Sequence, residues 1–149
     1  MRPLLEVTEL KKHYPIFRGV WKRQIAVTRA VDDISFQLAR GQTLGLVGES
    51  GCGKTTVART VVRLLQPTAG QIFFEGCNIN TLKKKQLRQF RTRVQMISQD
   101  PYSSLNPLMK VGTSIVEPLA ENTKTNRKQK KELSQDIMRK VGLNPLHIE

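Results

Sequence analysis

Eight consecutive residues, Gly48-Glu49-Ser50-Gly51-Cys52-Gly53-Lys54-Thr55, carry the strongest chemical signal in the chain. They match G-x-x-x-x-G-K-[ST], the pattern of a loop that wraps phosphate. Gly48, Gly51 and Gly53 let the backbone curl so that its N–H groups reach phosphate oxygens with no Cβ in the way. Ser50 and Cys52 fill the positions between them and contribute backbone N–H groups. Lys54 is placed to reach β- and γ-phosphates, and the Thr55 hydroxyl to ligate Mg²⁺. Thr56 is placed to donate to the α-phosphate. The ligand this chemistry suits is Mg-ATP. A chance match in a chain of this length has a frequency on the order of 0.5%.

The motif is expected between a strand and a helix, and that context makes a chance match less likely still. Thr43–Val47 reads as a short apolar strand suited to the middle of a sheet. From Gly53 to Leu65 the period becomes helical, with Ala58, Val61, Val62 and Leu65 on one stripe and Arg59 and Arg63 off it. The positive end of that helix dipole then points at the loop. Pro67 and Gly70 end the segment. Cys52 sits where a thiol can be activated, but no histidine neighbours it in sequence, so it reads as a small residue in a permissive position. His13 and His147 are isolated and read as non-catalytic.

The remaining elements are expected as follows. Leu4–Leu10 is a short strand, followed by a basic loop or hairpin punctuated by Pro15 and Gly19. Ile25–Leu38 is a second β region, with Ile34, Phe36 and Leu38 alternating with Ser35 and Gln37. Gln71–Glu75 is a strand closed by Gly76. Lys83–Arg93 is a basic helix with Leu87 and Phe90 inward. Val94–Ser98 is apolar enough for a buried strand. Val111–Ala120 is helical up to Pro118. Arg127–Val141 is a helix with Leu133, Ile137 and Val141 inward and Gly142 as its C-terminal cap.

Composition bounds the function classes. The 149 residues amount to one domain. Hydrophobic residues at 38% and charged residues at 25% exclude wholesale disorder. No apolar run is long enough to span a membrane. Glu6 interrupts the apolar N-terminus too early for a signal peptide. Two cysteines, Cys52 and Cys77, make no disulfide framework and have no metal-ligand spacing, so a cytoplasmic location is expected. Lys and Arg number 25 against 12 Asp and Glu, a net charge of +13. That balance attracts polyanions without naming one. The basic residues cluster at Lys11–Arg29, Lys83–Arg93 and Lys124–Lys140, and aromatic residues are not interleaved through them as stacking platforms would be.

Five stretches resemble the ATP-binding subunits of ABC transporters, oligopeptide/dipeptide importer branch. Thr43–Thr56, TLGLVGESGCGKTT, is similar to that branch's Walker A. Arg63–Gly76, RLLQPTAGQIFFEG, resembles the segment after the Walker A helix. Val94–Pro107, VQMISQDPYSSLNP, is similar to the Q-loop region and is the more diagnostic match. Leu10–Tyr14 resembles the segment carrying the A-loop aromatic, and the basic insert Arg18–Arg29 resembles an extended hairpin of this branch.

The resemblance implies an α/β fold of the P-loop NTPase class, of the ABC nucleotide-binding domain type. It implies an incomplete parallel sheet, an antiparallel β subdomain and a partial helical subdomain. Residues 1–99 would hold the β subdomain and Walker A core, and residues 100–149 the start of the helical subdomain. Tyr14 would stack on adenine, and Val31 would pack near the sugar or base. Gln99 would reach Mg²⁺ and the attacking water as a catalytic residue, and its loop would touch the transporter's membrane subunits. In this family the signature motif, Walker B aspartate, catalytic glutamate and switch histidine follow the matched region. The chain is therefore expected to be truncated, to bind ATP and Mg²⁺ with little turnover, and to need a second ATP-binding subunit in the complete protein. The implied location is the cytoplasm, peripheral on the inner face of the membrane. Nucleic acid is not the partner expected. A basic P-loop protein that binds nucleic acid, and a non-catalytic adaptor docking on a membrane subunit, are the alternatives.

Overall fold

The computed structural model describes residues 2–21, 23–100, 106–122 and 126–145. It divides into two compact units, Met1–Met96 and Ile97–Glu149. The first is built on a long antiparallel hairpin, β1 (Leu5–Arg18) and β2 (Arg23–Leu38). Its register runs from Leu5 opposite Leu38 to Arg18 opposite Arg23. β1 is longer than the strand expected to stop at Leu10, because β2 supplies partners for it as far as the tip. β3 (Ala69–Phe74) pairs with β1 only from Leu5 to Lys11. The outer half of the hairpin is therefore a two-stranded ribbon. That geometry accommodates Pro15, which has no N–H to offer a third strand. β4 (Cys77–Asn78) completes an all-antiparallel sheet of order β2-β1-β3-β4.

One face of this sheet is buried. Val7, Leu10, Val31 and Ile72 from the strands pack with Val57, Ile79 and Phe90. Val57 comes from α1 (Lys54–Val61) and Phe90 from α2 (Lys84–Arg93). The expected inward pair Leu87 and Phe90 is observed, with Phe90 buried and Leu87 half-buried against the core. Phe90 meets Phe74 edge-on at a centroid distance of 5.4 Å. The Gln86 side chain accepts a hydrogen bond from the Lys83 N–H and closes the start of α2.

α1 departs from its expected stripe. Val57 and Thr60 are buried, whereas Ala58 is exposed. The helix ends at Val61, and the N–H groups of Leu64 and Leu65 both donate to the Arg59 carbonyl. Leu65 thus no longer follows a helical period. Arg63, expected off the apolar stripe, is buried instead. It adopts a left-handed φ of 57°. Its Nε donates to the Ile79 carbonyl at 3.0 Å and its Nη2 to the Asn80 carbonyl at 3.2 Å. Arg91 Nη2 in turn donates to the Arg63 carbonyl at 2.9 Å.

Thr43–Val47 and Val94–Ser98, both expected as buried strands, are not strands among the described residues. Leu44 and Leu46 are each 45% exposed, and Val47 and Ile97 each 94%. A strand exists only where a neighbour meets its N–H and C=O groups. Neither segment has such a neighbour among the described residues.

The second unit contains α3 (Val111–Asn122) and α4 (Arg127–Lys140), which pack on each other. Asn126 and Gln129 exchange side-chain to backbone hydrogen bonds at 2.8 and 3.0 Å, a reciprocal cap at the start of α4. Gly142 ends it as expected. Its N–H reaches the Arg139 carbonyl, and Leu143 N–H reaches Met138. The buried residues of α4 are Ser134 and Met138, not Leu133 and Val141, which are exposed. Ile137 is half-buried beside them. The inward face is rotated by one residue from the expected stripe.

Candidate functional site

The phosphate-loop pattern occupies residues 48–55 and runs into the first turn of α1. Gly53 is the residue from which the helix springs, with φ 99° and ψ 0°, a left-handed conformation that side chains resist. A Cβ there would also lie 2.1 Å from the Ala30 carbonyl oxygen, so the loop closes directly on the β2 backbone. Val31, buried at 2% exposure, sits beneath the same glycine, and its Cγ2 would be 3.9 Å from that Cβ. At Gly48 an added Cβ would approach Cys52 Sγ to 2.7 Å, within the curl of the loop. Cys52 N–H donates to the Glu49 carbonyl at 3.3 Å and tightens that curl. Ser50 and Gly51 lie at its exposed crest.

Lys54 folds back over the loop. Its Nζ donates to the Gly48 and Glu49 carbonyls at 2.6 Å each and lies 3.5 Å from Cys52 Sγ. The ammonium thus closes the ring of backbone at the helix N-terminus. The first bond from helix to loop is Val57 N–H to the Gly53 carbonyl. The N–H groups of Lys54, Thr55 and Thr56 precede it and have no intrahelical acceptor. No acidic residue stands in the first turn to take them, and no side chain caps it. Thr55 is exposed and Thr56 half-buried. Free backbone donors, a lysine ammonium, an exposed hydroxyl and glycines held open at Gly48 and Gly53 form a donor set for a polyphosphate. The residues fit ATP, and Thr55 fits a Mg²⁺ ligand.

Tyr14 lies on the outer half of β1, opposite Thr28 of β2, and is 37% exposed. Lys12 Nζ stands 4.9 Å from its ring centroid, so one cation already rests on the ring. Beside it, His13 Nε2 and Asp32 Oδ1 are 3.0 Å apart, and Arg29 Nη1 donates to Asp32 Oδ2 at 3.3 Å. The His13 hydrogen bond, with Arg29 adding to it, holds the Asp32 carboxyl below the usual carboxylate range. Sequence reading missed this cluster because its members are 19 positions apart and meet only through the hairpin register.

Gln99 is exposed and belongs to the second unit. Residues 101–105 of its loop, part of the Q-loop match, lie outside the described residues. No group of three or more His, Cys, Asp or Glu side chains able to hold a metal occurs among the described residues. No described helix is long and apolar enough to cross a membrane.

A family model described as ABC transporter matches residues 31–149. A probable peptide ABC transporter ATP-binding protein of Sinorhizobium fredii is 50% identical over 142 residues, 95% of this chain and 40% of its own length. An oligopeptide transport ATP-binding protein of Bacillus subtilis is 42% identical over 143 residues, 95% of this chain and 44% of its own length. The chain thus spans less than half the length of these curated relatives. Among solved structures, the ATP-binding cassette MJ0796, a dimer bound to ADP and Pi, superposes with a TM-score of 0.74 at 18% identity. The match covers 97% of this chain and 60% of that one. At that identity the likeness speaks for the fold alone.

Proposed function

The chain belongs to the ABC transporter family, and from that membership we propose that it supplies the nucleotide-binding part of the ATPase subunit of an oligopeptide or dipeptide transporter. The observation that carries the reading is the loop of residues 48–55, with its lysine closure and its unpartnered N–H groups at the start of α1. The names of the relatives, peptide and oligopeptide transport ATP-binding proteins, support the substrate class.

In this reading the N–H groups of the loop and first turn bind the phosphates, and Lys54 exchanges its carbonyl partners for phosphate oxygens. Exchanging neutral carbonyl acceptors for anionic oxygens adds charge attraction to bonds that the ammonium already donates. Thr55 is the residue of this unit that would hold Mg²⁺, which when bound neutralises phosphate charge. Gln99, a residue of the second unit, would order water or offer its oxygen to a metal, as a neutral amide can. Tyr14 offers a ring face to adenine, and Val31 supports Gly53 from below. The unit of residues 1–96 would be the β subdomain with the nucleotide loop, its end three residues short of the expected boundary at 99, and the unit of residues 97–149 would open the helical subdomain. The partners proposed are the transporter's membrane subunits, through the Gln99 loop, and a second ATP-binding subunit. Its place is on the cytoplasmic face of the membrane. Nucleic acid is disfavoured because arginines of the basic helix α2 have internal partners: Arg91 binds the Arg63 carbonyl, and Arg93 pairs with Glu75 at 2.7 Å.

A chimera tests the reading. This chain would replace the matching segment of the Escherichia coli dipeptide transport ATP-binding protein, to which it is 40% identical over 148 residues. The expected result is dipeptide uptake by the assembled transporter, abolished by Lys54→Ala. An assembled chimera with no uptake contradicts the proposal.

A further inference from the structure

The two-stranded end of the β1–β2 hairpin carries an unusual combination of side chains. Val20 is 98% exposed, Trp21 90%, Ile25 58% and Phe17 55%. Between Leu10 and Val31 there are six Lys or Arg and no Asp or Glu. At the last rung of the ladder Arg18 stands directly opposite Arg23. Like charges facing each other across an antiparallel pair destabilise it. Both side chains are exposed, and neither is paired with a carboxylate among the described residues. The tip is thus apolar and cationic at once, and its charge is uncompensated from within.

We propose that this tip seats directly on an anionic lipid surface, with Trp21 and Val20 in the headgroup region and Arg18 and Arg23 against lipid phosphates. Tryptophan favours the interface between hydrocarbon and water, and basic residues beside it draw the segment to acidic headgroups. A bilayer surface satisfies both halves of the tip together. A nucleic acid backbone would relieve the arginine pair but leave the aliphatic Val20 and Ile25 in water. This contact is separate from any made through membrane subunits and does not depend on the nucleotide reading.

Trp21 is the only tryptophan in the chain and reports on its own environment. The full chain would be titrated with phosphatidylcholine vesicles, with and without phosphatidylserine, and with vesicles carrying brominated acyl chains. The expected results are a blue shift and quenching by brominated lipid, both only when phosphatidylserine is present, and both reversed by high salt. Arg18→Glu with Arg23→Glu should weaken partitioning by about thirtyfold or more. Lys84→Glu with Lys85→Glu changes the net charge equally but lies on α2, and should have a much smaller effect. Val20→Asp should remove the quenching while circular dichroism matches the parent. Unchanged Trp21 emission with anionic vesicles overturns the proposal. So do equal losses from the two charge-reversed pairs, or single-stranded RNA shielding Trp21 more strongly than vesicles do.

Discussion

Gly53 lies so close to Ala30 that a methyl group on the glycine would stand 2.1 Å from the Ala30 carbonyl oxygen. The loop that meets phosphate is therefore set directly on the backbone of β2, and its position is fixed by the antiparallel sheet. Gly53→Ala adds that clash to a φ of 99°. The expected loss is about 2 kcal/mol or more of unfolding free energy. Gly45→Ala meets nothing within 4 Å and should change stability by less than about 0.5 kcal/mol. Urea unfolding of the two variants checks the difference.

Arg63 is the buried cation that ties α1 to the turn after β4. Truncation to alanine strands the Asn80 carbonyl and leaves the Ile79 carbonyl with only the Leu82 N–H at 3.4 Å. A carbonyl so orphaned costs about 1–3 kcal/mol. Arg63→Ala should therefore lower the unfolding free energy by about 2–4 kcal/mol in the same denaturant assay. Arg63→Lys should recover little, because an ammonium lacks the planar fork that meets both carbonyls.

Glu75 sets a dependence on acid. Its carboxylate pairs with Arg93 at 2.7 Å and with Arg40. The Arg93 hydrogen bond, reinforced by the charges of Arg93 and Arg40, holds its carboxyl below the usual range against the opposing effect of burial. A depressed value in the folded state means that folding favours the ionised form. The stabilisation is complete above the unfolded value, about 4.3. It is lost as pH falls through the lower folded value. Below about pH 4.3 the parent should lose stability more steeply than Glu75→Gln, measured as Tm against pH.

Elements that carry their own partner were legible in the sequence. The alternation of Ile34, Phe36 and Leu38 marked β2, and Leu87 with Phe90 marked the inward side of α2. The glycine pattern marked the loop, and Gly142 marked the end of α4. Where a neighbour decides the outcome, the sequence was silent. Thr43–Val47 is apolar and β-prone, yet it is no strand because none lies beside it among the described residues. The α4 stripe was read one residue off because Ser134 gave no apolar signal for the position that is buried. Arg63 looked like a surface residue because its carbonyl partners are backbone atoms, which sequence does not distinguish.

Leu44, Leu46, Val47 and Ile97 leave apolar surface open in segments with strand-forming composition. Such segments are templates for pairing between chains. The chain should associate in a concentration-dependent way in sedimentation velocity. Val47→Lys should shift it toward monomer without changing far-UV circular dichroism. A parent that stays monomeric at the highest soluble concentration contradicts this expectation.

Calorimetric titration of Mg-ATP into the full chain tests the loop assignment most directly, with Lys54→Ala and Thr55→Ala measured alongside. The parent should bind saturably and with modest affinity. Losing the charge-assisted bonds of Lys54 should weaken binding about tenfold to a hundredfold. Thr55→Ala should weaken binding when Mg²⁺ is present and have little effect when it is chelated. Equal affinities of the parent and Lys54→Ala contradict the assignment of residues 48–55 as a phosphate site.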